Sequence, residues 1–292
     1  MFIKNKGNKP VEAVRIGIGS FAFRYNIGFG DFIPPKPMTT IDFLQEAHRL
    51  GFSLVQLCEN LNYATLSYKE IMSIANVAKE LGISIEVGLR GLSRENLLHH
   101  IKLAELLSSC FIRIVPGELK SSPEKNPDEL MKKSINILKN VLPICKEKNI
   151  KLGIEDNFIL PLDYLIQIVE EIADEHVGLI MDTTNCLGFI NQPEEVLDKM
   201  KPYLLSVHLK DYKVEKVEGG YLISSVPLGE GWLNVEEFIK KVLSINPTIS
   251  IIIEYSMRRD YSASVEQILK WEKESVEKNA RYIRKLIKGL NL

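Results

Sequence analysis

The sequence predicts a single-domain (β/α)8 TIM barrel of the α/β class, on three observations. Short β-type apolar runs alternate strictly with helix-type runs, eight of each can be counted, and no linker or low-complexity segment interrupts them. A chain of 292 residues with 45% hydrophobic and 26% charged content suits such a barrel, whose usual size is ~250 residues. The alternative, a doubly wound open sheet, normally carries a Gly-rich phosphate loop after its first strand, and "GIGSFAFRYNIGFG" lacks the G-x-G-x-x-G spacing.

The elements follow in order. The opening "MFIKNKGNKPVEA", residues 1–13, is short, polar and basic, without the apolar core of a secretory signal. It reads as a flexible tail ahead of a catalytic domain over residues 14–292. The first four β-type runs are "VRIGIGSF", "SLVQLCEN", "ISIEVGLR" and "FIRIVPG"; the last four are "IKLGIEDN", "VGLIMDTTN", "LLSVHLKD" and "ISIIIEYS". Between them lie apolar residues at helical spacing, from "TIDFLQEAHRLGF" to the long "SVEQILKWEKESVEKNARYIRKLIKGL". Thr39 or Thr40 caps the first long helix, and Gly51 and Gly82 stand where the chain leaves a helix for a strand.

Thirty-seven basic residues against 38 acidic ones leave a net charge of −1, so no global field draws the protein onto nucleic acid or anionic lipid. No apolar run approaches the ~18 residues of a membrane span. The four cysteines are scattered without C-x-x-C spacing, as expected of unpaired thiols in a reducing cytoplasm.

A barrel keeps its chemistry at the C-terminal ends of its strands. Strands five to eight end in Glu155-Asp156-Asn157, Asp182-Thr183-Thr184-Asn185, His208-Leu209-Lys210-Asp211 and Glu254-Tyr255-Ser256. Strand alternation gives Glu155 the face of Gly153, Asp182 that of Ile180, His208 that of Ser206 and Glu254 that of Ile252. Three carboxylates and an imidazole converging on one mouth would repel or demand protonation unless a cation sat among them. A divalent metal is the economical solution; oxygen ligands plus one imidazole favour Mn²⁺ or Mg²⁺ and accommodate Zn²⁺ or Co²⁺.

With "GIEDN", "MDTTN", "VHLKD", "PLGEGWLNVEEF" and "IIIEYS" in this order, the chain resembles the xylose isomerase-like TIM barrel superfamily of sugar phosphate isomerases and epimerases, which also contains the endonuclease IV type of apurinic-site nucleases. The resemblance implies Glu155, Asp182, His208 and Glu254 as metal ligands. It implies Glu155 and Glu254 as the acid/base pair of an epimerase working through an enediolate. Two departures stand out: Asn185 occupies a place where the epimerase branch often has a histidine, and Ile223 and Ser225 replace the D-x-H pair of the nuclease branch. With His48, His99, His100 and His176 in helices or at a helix–strand junction, the nuclease's trinuclear centre cannot be assembled.

The opening "IGIGSFAFRYNIGFG" and "VQLCENL" resemble a subgroup that includes decarboxylases of 3-oxo sugar acids. The expected function is therefore a metal-dependent isomerase or epimerase of a small sugar or sugar derivative, with a 3-oxo sugar acid decarboxylase as the alternative and an apurinic-site endonuclease third. Lys210, one step mouthward of His208 on the same face, is the preferred contact for a substrate anion, though it could instead pair with Asp211 or Glu230. Glu59, Asn60, Arg90, Asn157 and Asn185 complete the expected substrate-binding set. Arg24, Arg113 and Arg258 read as surface or salt-bridge residues. The C-terminal helix is longer than a barrel needs, and its excess apolar surface, together with the family's habits, points to a homodimer or homotetramer.

Overall fold

The computed structural model describes residues 14–118 and 123–290; the expected tail lies outside them. Eight parallel strands close into the barrel: β1 (Arg15–Gly19), β2 (Leu54–Leu57), β3 (Ser84–Arg90), β4 (Phe111–Val115), β5 (Lys151–Glu155), β6 (Val177–Asp182), β7 (Leu204–Leu209) and, after an inserted hairpin, β10 (Ser250–Ile253). Closure runs through β10 pairing with both β1 and β7. A closed sheet leaves no strand edge exposed, and every residue of β2, β4, β6 and β10 is buried.

The outer helices begin where short polar side chains can take up free N–H groups. Thr39 starts α2 (Thr40–Arg49) with a capping box to Asp42, and Ser67 does the same for α3 (Tyr68–Leu81) with Glu70. Gly82 ends α3 with φ of 66°, a backbone state that favours a residue without Cβ. The remaining long helices are α4 (Arg94–Leu106), α5 (Pro127–Glu147), α6 (Leu162–Ile172), α7 (Pro193–Met200), α8 (Val235–Ile245) and α9 (Val265–Gly289).

Two features depart from the eight-plus-eight expectation. A one-turn helix, α1 (Arg24–Ile27), follows β1, and an antiparallel hairpin, β8 (Asp211–Val217) with β9 (Gly220–Val226), projects after β7. The Gly219-Gly220 pair between β-type residues was its signal, obscured because these strands are half exposed and lack a clean apolar face. The extra length of α9 also does work within the chain. Glu272 accepts N–H bonds from Tyr25 at 2.9 Å and Asn26 at 2.8 Å, and Asn279 accepts one from Leu228 at 2.7 Å, so the helix braces the loops after β1 and β7.

Candidate metal centre at the barrel mouth

The register of the last strands assembles the centre. Asp182 on β6 stands directly opposite His208 on β7, and Ile252 on β10 opposes the same histidine. Glu254 follows β10 and donates its backbone N–H to Leu209 at 3.2 Å. The four side chains are almost wholly buried. His208 Nδ1 lies 3.5 Å from both Glu155 Oε2 and Glu254 Oε1 and 4.0 Å from Asp182 Oδ2.

Burying a polar atom without a partner costs free energy. Among the described residues neither ring nitrogen of His208 has a hydrogen-bond partner, and neither does Glu254 Oε1. Two ligands of one ion, each ~2.1 Å from it, stand roughly 3–3.5 Å apart. The observed separations are close to that, so these orphaned atoms fit a shared cation. Glu155, Asp182 and His208 have potential ligand atoms all within 4.8 Å of one another; Glu254 stands outside that set but keeps its 3.5 Å approach to the imidazole.

Around this seat the carboxylates are held by specific partners. Arg113 of β4 donates from Nε to Glu155 and from Nη1 to Glu59 at 3.0 Å, while Arg90 pairs with the other Glu59 oxygen. Arg113 has glycine on both sides in register, Gly88 on β3 and Gly153 on β5, so no side chain projects beside it at that level. Burial pushes the Glu155 carboxyl up, but Arg113 and then His208 bring it below its ordinary value. Lys210 bonds Asp182 at 2.6 Å and Glu254 at 2.9 Å. Burial lowers its ammonium, yet these carboxylates raise it overall, and Glu254 is in turn held below the usual carboxylate range despite its own burial. Asp156 behaves oppositely, since burial and then neighbouring Asp182 push it well up.

Several expectations change at this level. Lys210 is paired with Asp182 and Glu254, not with Asp211 or Glu230. Asp211 instead accepts four backbone N–H groups, from Tyr212, Gly229, Gly231 and Leu233 at 2.8–3.1 Å, and so ties the post-β7 loop together. One oxygen of Asp182 faces His208 while the other caps the turn through Thr184 and Asn185 N–H. Asn185 and Asn157 reach Glu155 at 3.1 and 3.5 Å. Glu59 is engaged by Arg90 through one oxygen and by Arg113 through the other. Asn60 bonds Ser20 and lines a separate cleft with Ile27 and Met38. His99, His100 and His176 bond Ala64, Asn96 and Asp174 away from the centre.

Arg113 is the residue whose role sequence reasoning missed, being seen as a salt-bridge residue without its partners. Its signal was a lone charge inside the apolar run "FIRIV", because a charge buried in a strand requires an opposite one.

Above the seat lies a cavity of about 480 Å³. Its lining includes Lys210 and Asn185 from the seat, Ser225 from the hairpin, and Arg24, Arg258 and Arg259, with no aspartate or glutamate.

A family model described as Xylose isomerase-like TIM barrel matches residues 44–286. The chain is 25% identical over 259 residues to the 3-oxo-isoapionate decarboxylase of Pectobacterium atrosepticum, covering 88% of this chain and 90% of that protein. Among solved structures it resembles a D-psicose 3-epimerase crystallised in the presence of D-fructose, with TM-score 0.69 and 14% identity over 94% of this chain and 99% of the other. A TIM barrel protein from Mycobacterium smegmatis in complex with magnesium gives TM-score 0.66 and 17% identity over 97% and 99%. At these identities the two structures speak for the fold alone.

Proposed function

Because the chain belongs to the xylose isomerase-like TIM barrel family, we propose that it is a divalent-metal-dependent decarboxylase of a small 3-oxo sugar acid. The observation that carries this reading is the engagement of both glutamates: Glu155 is bound by Arg113, and Glu254 by Lys210. A carboxylate held in such a pair is a good ligand and a poor base. Epimerisation needs a base to remove a carbon-bound proton, whereas decarboxylation does not, because the electron pair is left behind by departing CO₂. The likeness to a 3-oxo-isoapionate decarboxylase supports the same choice.

Glu155, Asp182, His208 and Glu254 would hold the ion, with Mn²⁺ or Mg²⁺ favoured; when bound it supplies Lewis-acid polarisation of a ketone oxygen. Asn157 and Asn185 orient Glu155 and offer amides to substrate hydroxyls. Arg113 and Lys210 favour the ionised forms of Glu155 and Glu254, and Lys210 also fixes Asp182 in place. Four carboxylates of the cluster (Glu59, Glu155, Asp182, Glu254) face three cations (Arg90, Arg113, Lys210), so a divalent ion would turn a net charge of −1 into +1. That sign suits an anionic substrate. In the reaction the bond between the carboxylate carbon and its neighbour breaks, CO₂ leaves, the pair moves onto the ketone oxygen, and a solvent-derived proton replaces the lost carbon.

A second reading, sugar isomerisation or epimerisation, is favoured by one observation. The two glutamates approach His208 Nδ1 equally, at 3.5 Å, as an acid/base pair flanking a substrate would. One experiment separates the readings: the Mn²⁺-loaded protein is incubated in D₂O with a panel of 3-oxo acids and ketoses. Release of CO₂ with one deuterium in the shortened product is expected, and EDTA abolishes it. Deuterium in an intact carbon skeleton, without CO₂, would transfer the assignment to the isomerase.

A further inference from the structure

We infer that Arg24 anchors the substrate carboxylate, forming an oxyanion subsite beside the metal seat; this rests on the acidic-substrate reading above. Positive charge is left over at this mouth. Four basic side chains and no acidic one line the mouth cavity. Lys210 is committed to Asp182 and Glu254, and Arg259 to Asp31 at 3.1 Å. Arg258 stands on the exposed rim. Arg24 is half-buried, and among the described residues no carboxylate pairs with it and its Nε has no hydrogen-bond partner. The nearby carboxylate, Glu272, has its oxygens taken by Tyr25 and Asn26 and forms no ion pair with Arg24, and a half-buried guanidinium without a direct partner is poised for an anion.

Arg24 is also held in position. Its Cζ lies 3.9 Å from the centroid of the Phe29 ring and 5.3 Å from that of Tyr25, a cation–π seat that fixes the guanidinium plane. The next two backbone N–H groups, of Tyr25 and Asn26, are bonded to buried Glu272. A single planar fork carrying one positive charge matches a carboxylate in geometry and charge, whereas a phosphate dianion would leave a negative charge unanswered. Ser225, Ser256 and Asn185 around the same cavity supply groups for hydroxyls.

The test uses the full Mn²⁺-loaded chain with D-erythronate, its neutral counterpart erythritol, and inorganic phosphate, by calorimetry. Wild type is expected to bind erythronate about 10-fold or more tighter than erythritol, Arg24→Gln to lose that preference, and Arg24→Lys to recover part of it. With a turned-over oxo acid, Arg24→Gln raises KM by about 10-fold or more, the loss falling on KM rather than kcat. A variant that keeps the erythronate preference, or a wild type without one, overturns the inference. Phosphate displacing erythronate at lower concentration than erythronate itself requires overturns the carboxylate assignment. Preference lost in Arg24→Gln while no oxo acid yields CO₂ leaves the subsite standing and removes the decarboxylase; CO₂ release indifferent to Arg24→Gln does the reverse. Should Arg24→Gln fail to fold, phenylglyoxal labelling of wild type decides: erythronate, and not erythritol, must protect Arg24.

Discussion

Arg113 is a long cationic side chain with only 1% of its surface exposed, and it spans Glu59 and Glu155. Removing one member of a buried pair leaves the other charge uncompensated, at a cost of about 3–5 kcal/mol. Arg113→Met is therefore expected to lose about that much in urea unfolding, and Arg113→Lys less, since it keeps the charge without the fork. Glu272 is the other buried ionisable group of consequence. Burial pushes its carboxyl up to about 7 from 4.5, against the opposing pull of the Tyr25 and Asn26 N–H groups. Between those two values the native chain holds a proton that the unfolded chain has released, so stability falls as pH rises through the window, by about 3 kcal/mol. Unfolding free energies of wild type and Glu272→Gln measured from about pH 4 to about pH 9 check this: the difference between them should drift by that amount across the window and flatten above it.

The loop after the hairpin is gathered by Asp211 through four N–H groups. Gly231 lies so close that a Cβ there would come within 2.1 Å of Asp211 Oδ1. Gly231→Ala must therefore unseat the carboxylate, and the amides of Gly229 and Leu233 should exchange with deuterium at least about tenfold faster, while those in β2 and β3 stay protected. Gly229 and Gly231 of "GEGWLN" both give their N–H groups to Asp211 in this turn. The hairpin beside them was not legible, because a half-exposed ribbon has neither a buried run nor strict alternation to announce it. Similarly, α9 could be seen to be too long for a barrel helix, but nothing local in "WEKESVEKNARYI" says that Glu272 and Asn279 will find mouth loops more than 50 residues away.

For the whole molecule, the cyclic order of the eight strands and the convergence of four strand ends were readable because both follow from periodicity and from the rule that barrel chemistry sits at strand ends. What could not be read was pairing across the interior, since Arg113, Glu59 and Glu155 meet only after the sheet has closed. If the seat takes a divalent ion in the native state alone, Mn²⁺ at a hundred times its dissociation constant should raise stability by about 2.7 kcal/mol. Differential scanning calorimetry would detect the upward shift in Tm, and His208→Ala should diminish it.

The Lys210 ammonium between Asp182 and Glu254 has a consequence for the history of each newly made chain. With Arg113 beneath and Lys210 above, the mouth carries most of its own counter-charge, so closing the barrel does not depend on an ion being present. If the seat takes a divalent ion, folding and the uptake of that ion can then be successive events.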